Sequence, residues 1–531
     1  MPESRPPIRW RVMPASLAAV LTAACLLPDT SSAATFEFAD GEGSLTFDST
    51  FSMGLLARTQ RSDRRLVGIA NGGTSRSVNE DDGNLNYKRG EIVSALLKGN
   101  HDLDLSYGKS GLFVRFGYGT DFAARQKEGL VEKTHDSLDY DAELFDAYIR
   151  HEFSIADRKL NLRLGNQVVS WGESTFIPGG INVINPVDLV KLRAPGSELK
   201  EAFIPVPMLW ASQQITDNIT IEAFNQFKWK PFRIDPFGSF FSTTDVFSRG
   251  GTESFIGFGR TPDSTHPRNG TPEEDTIIPR DSTQHAKDTG QFGMAMRWLL
   301  PALNNTELGF YGINYHSRTP IASTTMADDA TAGPLQVTGG CGLLSSLPAQ
   351  LQLGAVCNGG VLTVPGAPGQ RDASTASIFA EYPENIQLFG LSFNTPGPFG
   401  IALQGEYSYR PNLPLQVATV ELVLATLGLP NQAGYGNDLD GDAGFDRVEG
   451  RDSGGRLRGC REVEMHQFQF TALKAIPNVL RAEQVIALLE AAYVRLELPD
   501  GIKFAGPATY LPSAQGGPAN GLFPYPNPLV A

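Results

Sequence analysis

The chain has 531 residues, with 44 basic against 58 acidic side chains, a net charge of −14, and 56 glycines. That acidic balance argues against a nucleic-acid partner, which requires clustered Lys and Arg to hold phosphates. Four cysteines are too few for a disulfide scaffold, and 41% apolar content argues against disorder despite 36 prolines.

At the start of the chain, Arg5, Arg9 and Arg11 precede a mostly apolar stretch from Val12 to Leu27. Ser31-Ser32-Ala33-Ala34 then offers small residues where a signal peptidase cuts. Residues 1–34 therefore predict a cleaved export signal, and 35–531 a single mature domain. The apolar stretch falls short of the ~20 residues that span a bilayer as a helix. No later run approaches that length; the longest candidate, Leu422 to Leu429, follows Glu421. Cys25 is a poor lipid-anchor site, because Thr22 stands where a large aliphatic residue is usual and Leu26-Leu27 where a polar linker is. An exported chain of this kind is either soluble or crosses an outer membrane as a closed sheet, the other backbone arrangement that lipid permits.

Period two dominates the mature chain. Leu103, Leu105 and Tyr107 alternate with Asp102, Asp104 and Ser106, and Gly108-Lys109-Ser110-Gly111 is short enough for a tight hairpin. Leu112, Val114, Phe116 and Tyr118 oppose Phe113, Arg115, Gly117 and Gly119. Phe145, Ala147, Ile149 and Phe153 oppose Asp146, Tyr148, Arg150 and Glu152, and Leu160, Leu162 and Leu164 oppose Asn161, Arg163 and Gln167. Ile219, Ile221, Ala223, Phe227 and Trp229 oppose Thr220, Glu222, Gln226 and Lys228. The same alternation returns at Phe292 to Trp298 and at Ile401 to Arg410. Residues 477–498 fit either a helical stripe through Val479, Ile486, Leu489 and Tyr493 or a strand through Val485, Ala487, Leu489, Ala491 and Tyr493.

Amphipathic segments of this length, ending in aromatic residues and carrying charge and glycine on the polar side, predict an all-β fold. The expected architecture is a large antiparallel transmembrane β-barrel of about 14–18 strands. A soluble β-rich protein also alternates and is the other reading. Long Gly- and Pro-rich connections over roughly 62–85, 232–288, 320–375 and 429–459 contrast with short turns elsewhere. Outer-membrane barrels have this asymmetry, with the long loops outward.

Residues 169–210 break the pattern. The glycines and prolines of Val169–Pro186 would interrupt a ladder. Asp188, Lys191, Arg193, Glu198, Lys200 and Glu201 follow in a short span. An inward-folded segment is expected here, and with Arg163 and Glu173 these charges are candidates for a lumen constriction. Opposed charges across a lumen set a transverse field that selects permeants. The alternative is a salt-bridged structural loop that meets no substrate.

Signatures of catalysis are missing: there is no Gly-x-Ser-x-Gly and no His-Glu-x-x-His, and the histidines are dispersed. The chain reads as a non-enzyme. Cys341 and Cys357 bracket a Gly-rich loop and are a candidate disulfide, which by loop-closure entropy is worth about 3 kcal/mol; reduced thiols are the alternative. Asp438, Asp440, Asp442, Asp446 and Glu449 have the ligand spacing of a calcium loop. Ala443 stands where such a loop needs glycine, and the flanks read as loop, so a solvated acidic loop competes with calcium. No other cofactor is expected.

Several separated motifs carry a resemblance. Leu66–Gly73 with Asp81–Tyr87, Trp171–Phe176 with Asn182–Asp188, Glu381–Leu388 and Glu406–Pro414 resemble domain-of-unknown-function family 1302 of Gram-negative bacteria. The resemblance covers most of the mature chain and implies an exported, outer-membrane-type barrel without an established catalytic residue. It further implies passage or hand-over of small hydrophobic molecules, beside a resistance-nodulation-division-type exporter and a second exported protein. A non-conducting structural or assembly partner of such a complex and a soluble exported binding protein are the alternatives. The resemblance favours the strand over residues 477–498. Such proteins run further and close on a strand with a terminal aromatic, whereas this chain ends Tyr525-Pro526-Asn527-Pro528-Leu529-Val530-Ala531. The closing strands are therefore expected to be missing and the barrel to close poorly.

Overall fold

A computed structural model describes residues 34–138, 142–256, 259–260, 262, 277–326, 335–338, 356–358, 361–364, 375–426, 455–479 and 482–505. Residues 1–33, Cys341, the side chain of Cys357, the acidic loop 438–449 and residues 506–531 lie outside that description. So, with them, do the export signal, the candidate disulfide and the candidate calcium loop.

The alternating segments form one sheet of fourteen strands, each hydrogen-bonded to its neighbours in chain order. The first six are β1 (Ala34–Phe38), β2 (Gly43–Ala57), β3 (Ile92–Tyr107), β4 (Ser110–Asp121), β5 (Glu143–Ile155) and β6 (Arg158–Gln167). Then come β7 (Val206–Gln214), β8 (Ile219–Gln226), β9 (Phe292–Leu300) and β10 (Thr306–Tyr315). The last are β11 (Ile386–Pro396), β12 (Ala402–Gln416), β13 (Cys460–Val479) and β14 (Ala482–Glu497). All pairings between them are antiparallel. Among the described residues, the outer edges of β1 and β14 are unpaired.

Every odd strand joins the next even strand by a short turn, and every even strand joins the next odd one by a long connection. At Ala156-Asp157 both residues are left-handed, with φ of 49° and 60°. This is the primed two-residue turn whose twist matches that of its strands. One end of the sheet is thus all short turns and the other all long loops. No helix among the described residues is long and apolar enough to cross a membrane. Parts of the loops add their own pairings, as Glu253–Phe255 with Ile277–Pro279 and Ile321–Thr325 between Ser377–Glu381 and Arg456–Leu457.

The pleat sorts the side chains by face. Phe51, Met53, Leu55, Ile149, Met294, Leu391, Phe468 and Leu489 are exposed on the outer face. Tyr107, Phe153 and Trp298 stand on it toward the short-turn end, and Tyr118 and Phe292 toward the long-loop end, all exposed. The inner face carries Lys98, Asn100, Arg115, Glu222, Arg297, Glu406 and Gln467. Residues 168–205, between β6 and β7, fold onto that inner face. Gly54 of β2 meets them so closely that a Cβ would come 2.6 Å from Pro195, while Glu490 of β14 binds backbone at 175–177. Strands near both ends of the sheet touch one segment, so the sheet curls around it. Trp171, Ile181 and Ile184 of the segment form a buried core with Met208, Phe224, Ile313 and Leu388 of the wall.

Two expectations need correction. Phe145 faces inward, because the register shifts between Val114–Ala147 and Phe116–Leu144 and leaves Phe145 and Asp146 together opposite Arg115. This β-bulge turns the ring under Lys191, whose Nζ lies 4.2 Å from its centroid, and hands the outer position to the exposed Leu144. Trp229 also leaves the outer row: β8 ends at Gln226, and the buried Trp229 indole donates 3.1 Å to the Ser317 carbonyl in the loops. Phe224 takes an inward position against Trp171, at 5.1 Å between ring centroids. Residues 482–497 are strand, with Ala487, Leu489, Ala491 and Tyr493 registered opposite Lys474, Ala472, Phe470 and Phe468.

Candidate functional site

Glycines and prolines keep residues 171–181 of the inserted segment out of a ladder, yet buried N–H and C=O groups need partners. The wall supplies them. The Glu406 carboxylate accepts from the backbone N–H of Glu173 (2.7 Å), Ser174 (3.2 Å) and Ile181 (3.0 Å). Glu490 accepts from Thr175 (2.7 Å), Phe176 (2.8 Å) and Ile177 (3.0 Å). Gln469 and Gln467 donate to the carbonyls of Ile177 (3.1 Å) and Pro178 (3.0 Å), and Arg410 donates to that of Gly180 (2.6 Å). Gly180 permits this approach, since a Cβ there would lie 1.8 Å from Glu406 Oε1.

The Trp171 indole donates 2.8 Å to Glu222, which also accepts from Arg297 at 3.0 Å; Arg297 in turn donates 2.8 Å to Glu307. Glu173 projects beside this chain and accepts from Asn394 at 3.2 Å. Burial pushes its carboxyl up to about 7; Arg297 opposes the rise, and Glu307 and Glu406 reinforce it. The folded value exceeds the ordinary 4.5, so stability falls as pH rises between 4.5 and about 7. Glu173→Gln is expected to flatten that slope, recovering on the order of 1 kcal/mol at pH 8 once partial exposure is allowed for. Urea midpoints of the two proteins at pH 5 and pH 8 check this.

The other arm of the segment is held by charge. Asp188 caps a short helix, Leu189–Arg193, accepting 3.1 Å from the Lys191 N–H. Its second oxygen takes Arg233 at 2.9 Å, and Arg233 also reaches Glu143 at 3.6 Å. Lys191 pairs with Glu143, and Glu201 with Lys98, while Asn100 donates 2.8 Å to Glu201. These groups, with Asp136 and Arg249, line a cavity of about 410 Å³. Four acids (Asp136, Glu143, Asp188, Glu201) face four bases (Lys98, Lys191, Arg233, Arg249). The field inside is therefore one of adjacent dipoles and not of a single sign.

The family of proteins of unknown function DUF1302 matches residues 14–522. The chain belongs to the DUF1302 family. None of the curated proteins matches it. Similar solved structures include Salmonella typhi OmpF in complex with daunomycin, at 6% identity over 83% of this chain and 81% of that chain, with a TM-score of 0.30. The outer membrane channel DcaP of Acinetobacter baumannii is 7% identical over 89% of this chain and 83% of that one, with a TM-score of 0.32. Acinetobacter baumannii OccAB1 is 12% identical over 89% and 94%, with a TM-score of 0.25.

In this DUF1302 chain the eight charged candidates do not form one group. Asp188, Lys191 and Glu201 share the cavity. Arg193 pairs with Asp235, whose carboxyl burial pushes up to about 6. Glu198 and Lys200 pair with each other at 2.9 Å on a half-exposed edge. Glu173 sits on the far arm, and Arg163 on the β6 wall between the rings of Tyr148 and Trp210. Lys98, Glu143, Arg233, Glu406 and Glu490 escaped the sequence reading. The local signal of Lys98, Glu143, Glu406 and Glu490 was a charge on the polar face of a strand, which many residues share; Glu406 also opens a family motif, and Arg233 lies in a loop. Among the described residues, no three His, Cys, Asp or Glu side chains gather as metal ligands.

Proposed function

We propose that this protein is an outer-membrane channel-type barrel that passes or hands over small molecules through the space around its inserted segment. The observation that carries the reading is the contrast between faces: a band of exposed apolar side chains outside and paired charges within. Water disfavours so continuous an apolar band, and lipid favours it. The all-short and all-long ends support the same orientation, with the short turns toward the periplasm. Export through residues 1–34 and closure of the sheet into a barrel belong to this reading. Asp188, Lys191 and Glu201 are its constriction. Hydrophobic cargo and an exporter partner rest on the family resemblance, and the charged wall favours a cargo that carries a polar group.

Detergent fractionation of the full-length protein, followed by planar-bilayer conductance, tests the proposal. Extraction only with detergent and ion conductance are expected. Release without detergent removes the reading, and detergent extraction without conductance turns it to a structural partner. One substitution isolates the solvent of the outer face. Leu391 is 49% exposed on strand β11, which is paired on both sides. Leu391→Arg is expected to cost about 2–4 kcal/mol if lipid surrounds it, against about 0.5 kcal/mol or less at a watery surface. The urea midpoint for loss of heat-modifiable gel migration measures the difference.

A further inference from the structure

On the inner wall near the short turns, one guanidinium has no counter-ion among the described residues. Arg115 holds Asp102 through two hydrogen bonds of 2.7 and 2.8 Å, and Arg150 holds Asp104 through two of 2.8 and 2.6 Å. Arg297 is shared by Glu222 and Glu307. Arg163 lies between two rings, its Cζ 4.6 Å from the centroid of Trp210 and 5.6 Å from that of Tyr148. Among the described residues no carboxylate pairs with it.

Its position sharpens the imbalance. Arg163 is registered directly opposite Arg150 on β5 and opposite Trp210 on β7. Like charges facing each other across a ladder repel, and Asp104 neutralises only Arg150. The two arginines and Trp210, with Asn161 and Ser106, line a cavity of about 420 Å³. The other bases and acids there are committed: Lys109 donates 2.8 Å to Ser154, His151 Nδ1 shares a hydrogen bond of 2.8 Å with the Ser110 hydroxyl, and Glu152 pairs with Lys159 at 3.3 Å. The Trp210 indole N–H is covered and has no partner among the described residues, unlike those of Trp171 and Trp229. An excess positive charge, planar donors and an aromatic face thus meet in one cavity of small-molecule size.

We propose that this cavity binds a small planar carboxylate, the anion on Arg163 and the flat body against Trp210. This deepens the channel reading by naming a substrate class, and rests on an interior that solutes can enter. The anion neutralises the pair of facing arginines, while the Trp210 ring holds the guanidinium in place.

Isothermal titration of the full-length protein in detergent with benzoate tests the site, with benzyl alcohol and acetate as comparison probes. Benzoate is expected to bind more tightly than either. Arg163→Gln is expected to weaken benzoate about tenfold or more, since it removes both the charge and the two-pronged donor. If that variant fails to assemble, Arg163→Lys, which keeps the charge, is expected to weaken benzoate several-fold, and Trp210→Leu to weaken benzoate more than acetate. Benzoate affinity unchanged in correctly assembled Arg163→Gln overturns the proposal, as does benzyl alcohol binding as tightly as benzoate. A protein that conducts in bilayers yet binds benzoate regardless of Arg163 loses this site and keeps the channel. A protein that binds benzoate through Arg163 without conducting keeps the site and loses the channel.

Discussion

Glu406→Ala is expected to destabilise the protein by about 3–5 kcal/mol and to loosen the inserted segment from the wall. The carboxylate accepts three backbone N–H groups at 2.7 to 3.2 Å, from residues on both sides of the Gly179-Gly180 bend. None of those donors has a strand partner to fall back on, so each is left facing an apolar methyl. Loss of an acceptor from a buried donor costs about 1–3 kcal/mol, and water entering the vacated space lowers the total. Glu406→Gln keeps one acceptor oxygen and presents an N–H₂ to the remaining donors, so roughly half the loss is expected. Gly180→Ala approaches the same contact from the other side, because its Cβ would overlap Glu406 Oε1. Urea midpoints give the stability, and bilayer conductance gives the position of the segment, expected to rise as the segment leaves the interior. Unchanged stability and conductance in Glu406→Ala would mean that these N–H groups are hydrated and that the carboxylate anchors nothing.

The second large effect concerns the opposite arm. Lys98 and Glu201 form an ion pair with side chains only 3% and 4% exposed, and Glu201 lies in the short helix Leu199–Ala202 that fastens the segment to β3. Lys98→Met leaves an ionised carboxylate with Asn100 as its remaining partner. Breaking a buried pair in this way costs about 3–5 kcal/mol, because the desolvated charge that stays behind is uncompensated. The double variant Lys98→Met with Glu201→Leu removes both charges and is expected to recover most of that loss, to within about 1 kcal/mol of the parent. A double-mutant cycle on urea midpoints measures the coupling. Additive losses in the double variant would show that the pair is solvated and acts through packing alone.

How far these features could be read in advance depends on their range along the chain. Leu112 to Tyr118 declared its outer face because the pleat alternates side chains locally, whatever the rest of the fold does. The same rule failed at Phe145, where one extra residue in β5 shifted the phase, and no single-strand pattern reports the register of its neighbour. It failed at Trp229 because β8 leaves the ladder after Gln226, paired with Met208, and the chain turns into the loops, where the indole finds the Ser317 carbonyl. The inserted segment was visible as a place where glycine and proline interrupt the alternation. Its seat was not. The Glu173–Glu406 hydrogen bond joins residues 233 apart in sequence, and the Thr175–Glu490 bond residues 315 apart.

Fold class, the two faces of most strands, the contrast of short turns with long loops and the family were written in the amino-acid order, since each follows from properties a residue shares with its near neighbours. Which charges meet was decided only in three dimensions. Arg150 and Arg163 look alike on their strands, yet Asp104 reaches one and, among the described residues, no carboxylate reaches the other, because a side chain of a few ångströms serves only the place where the curled sheet sets it.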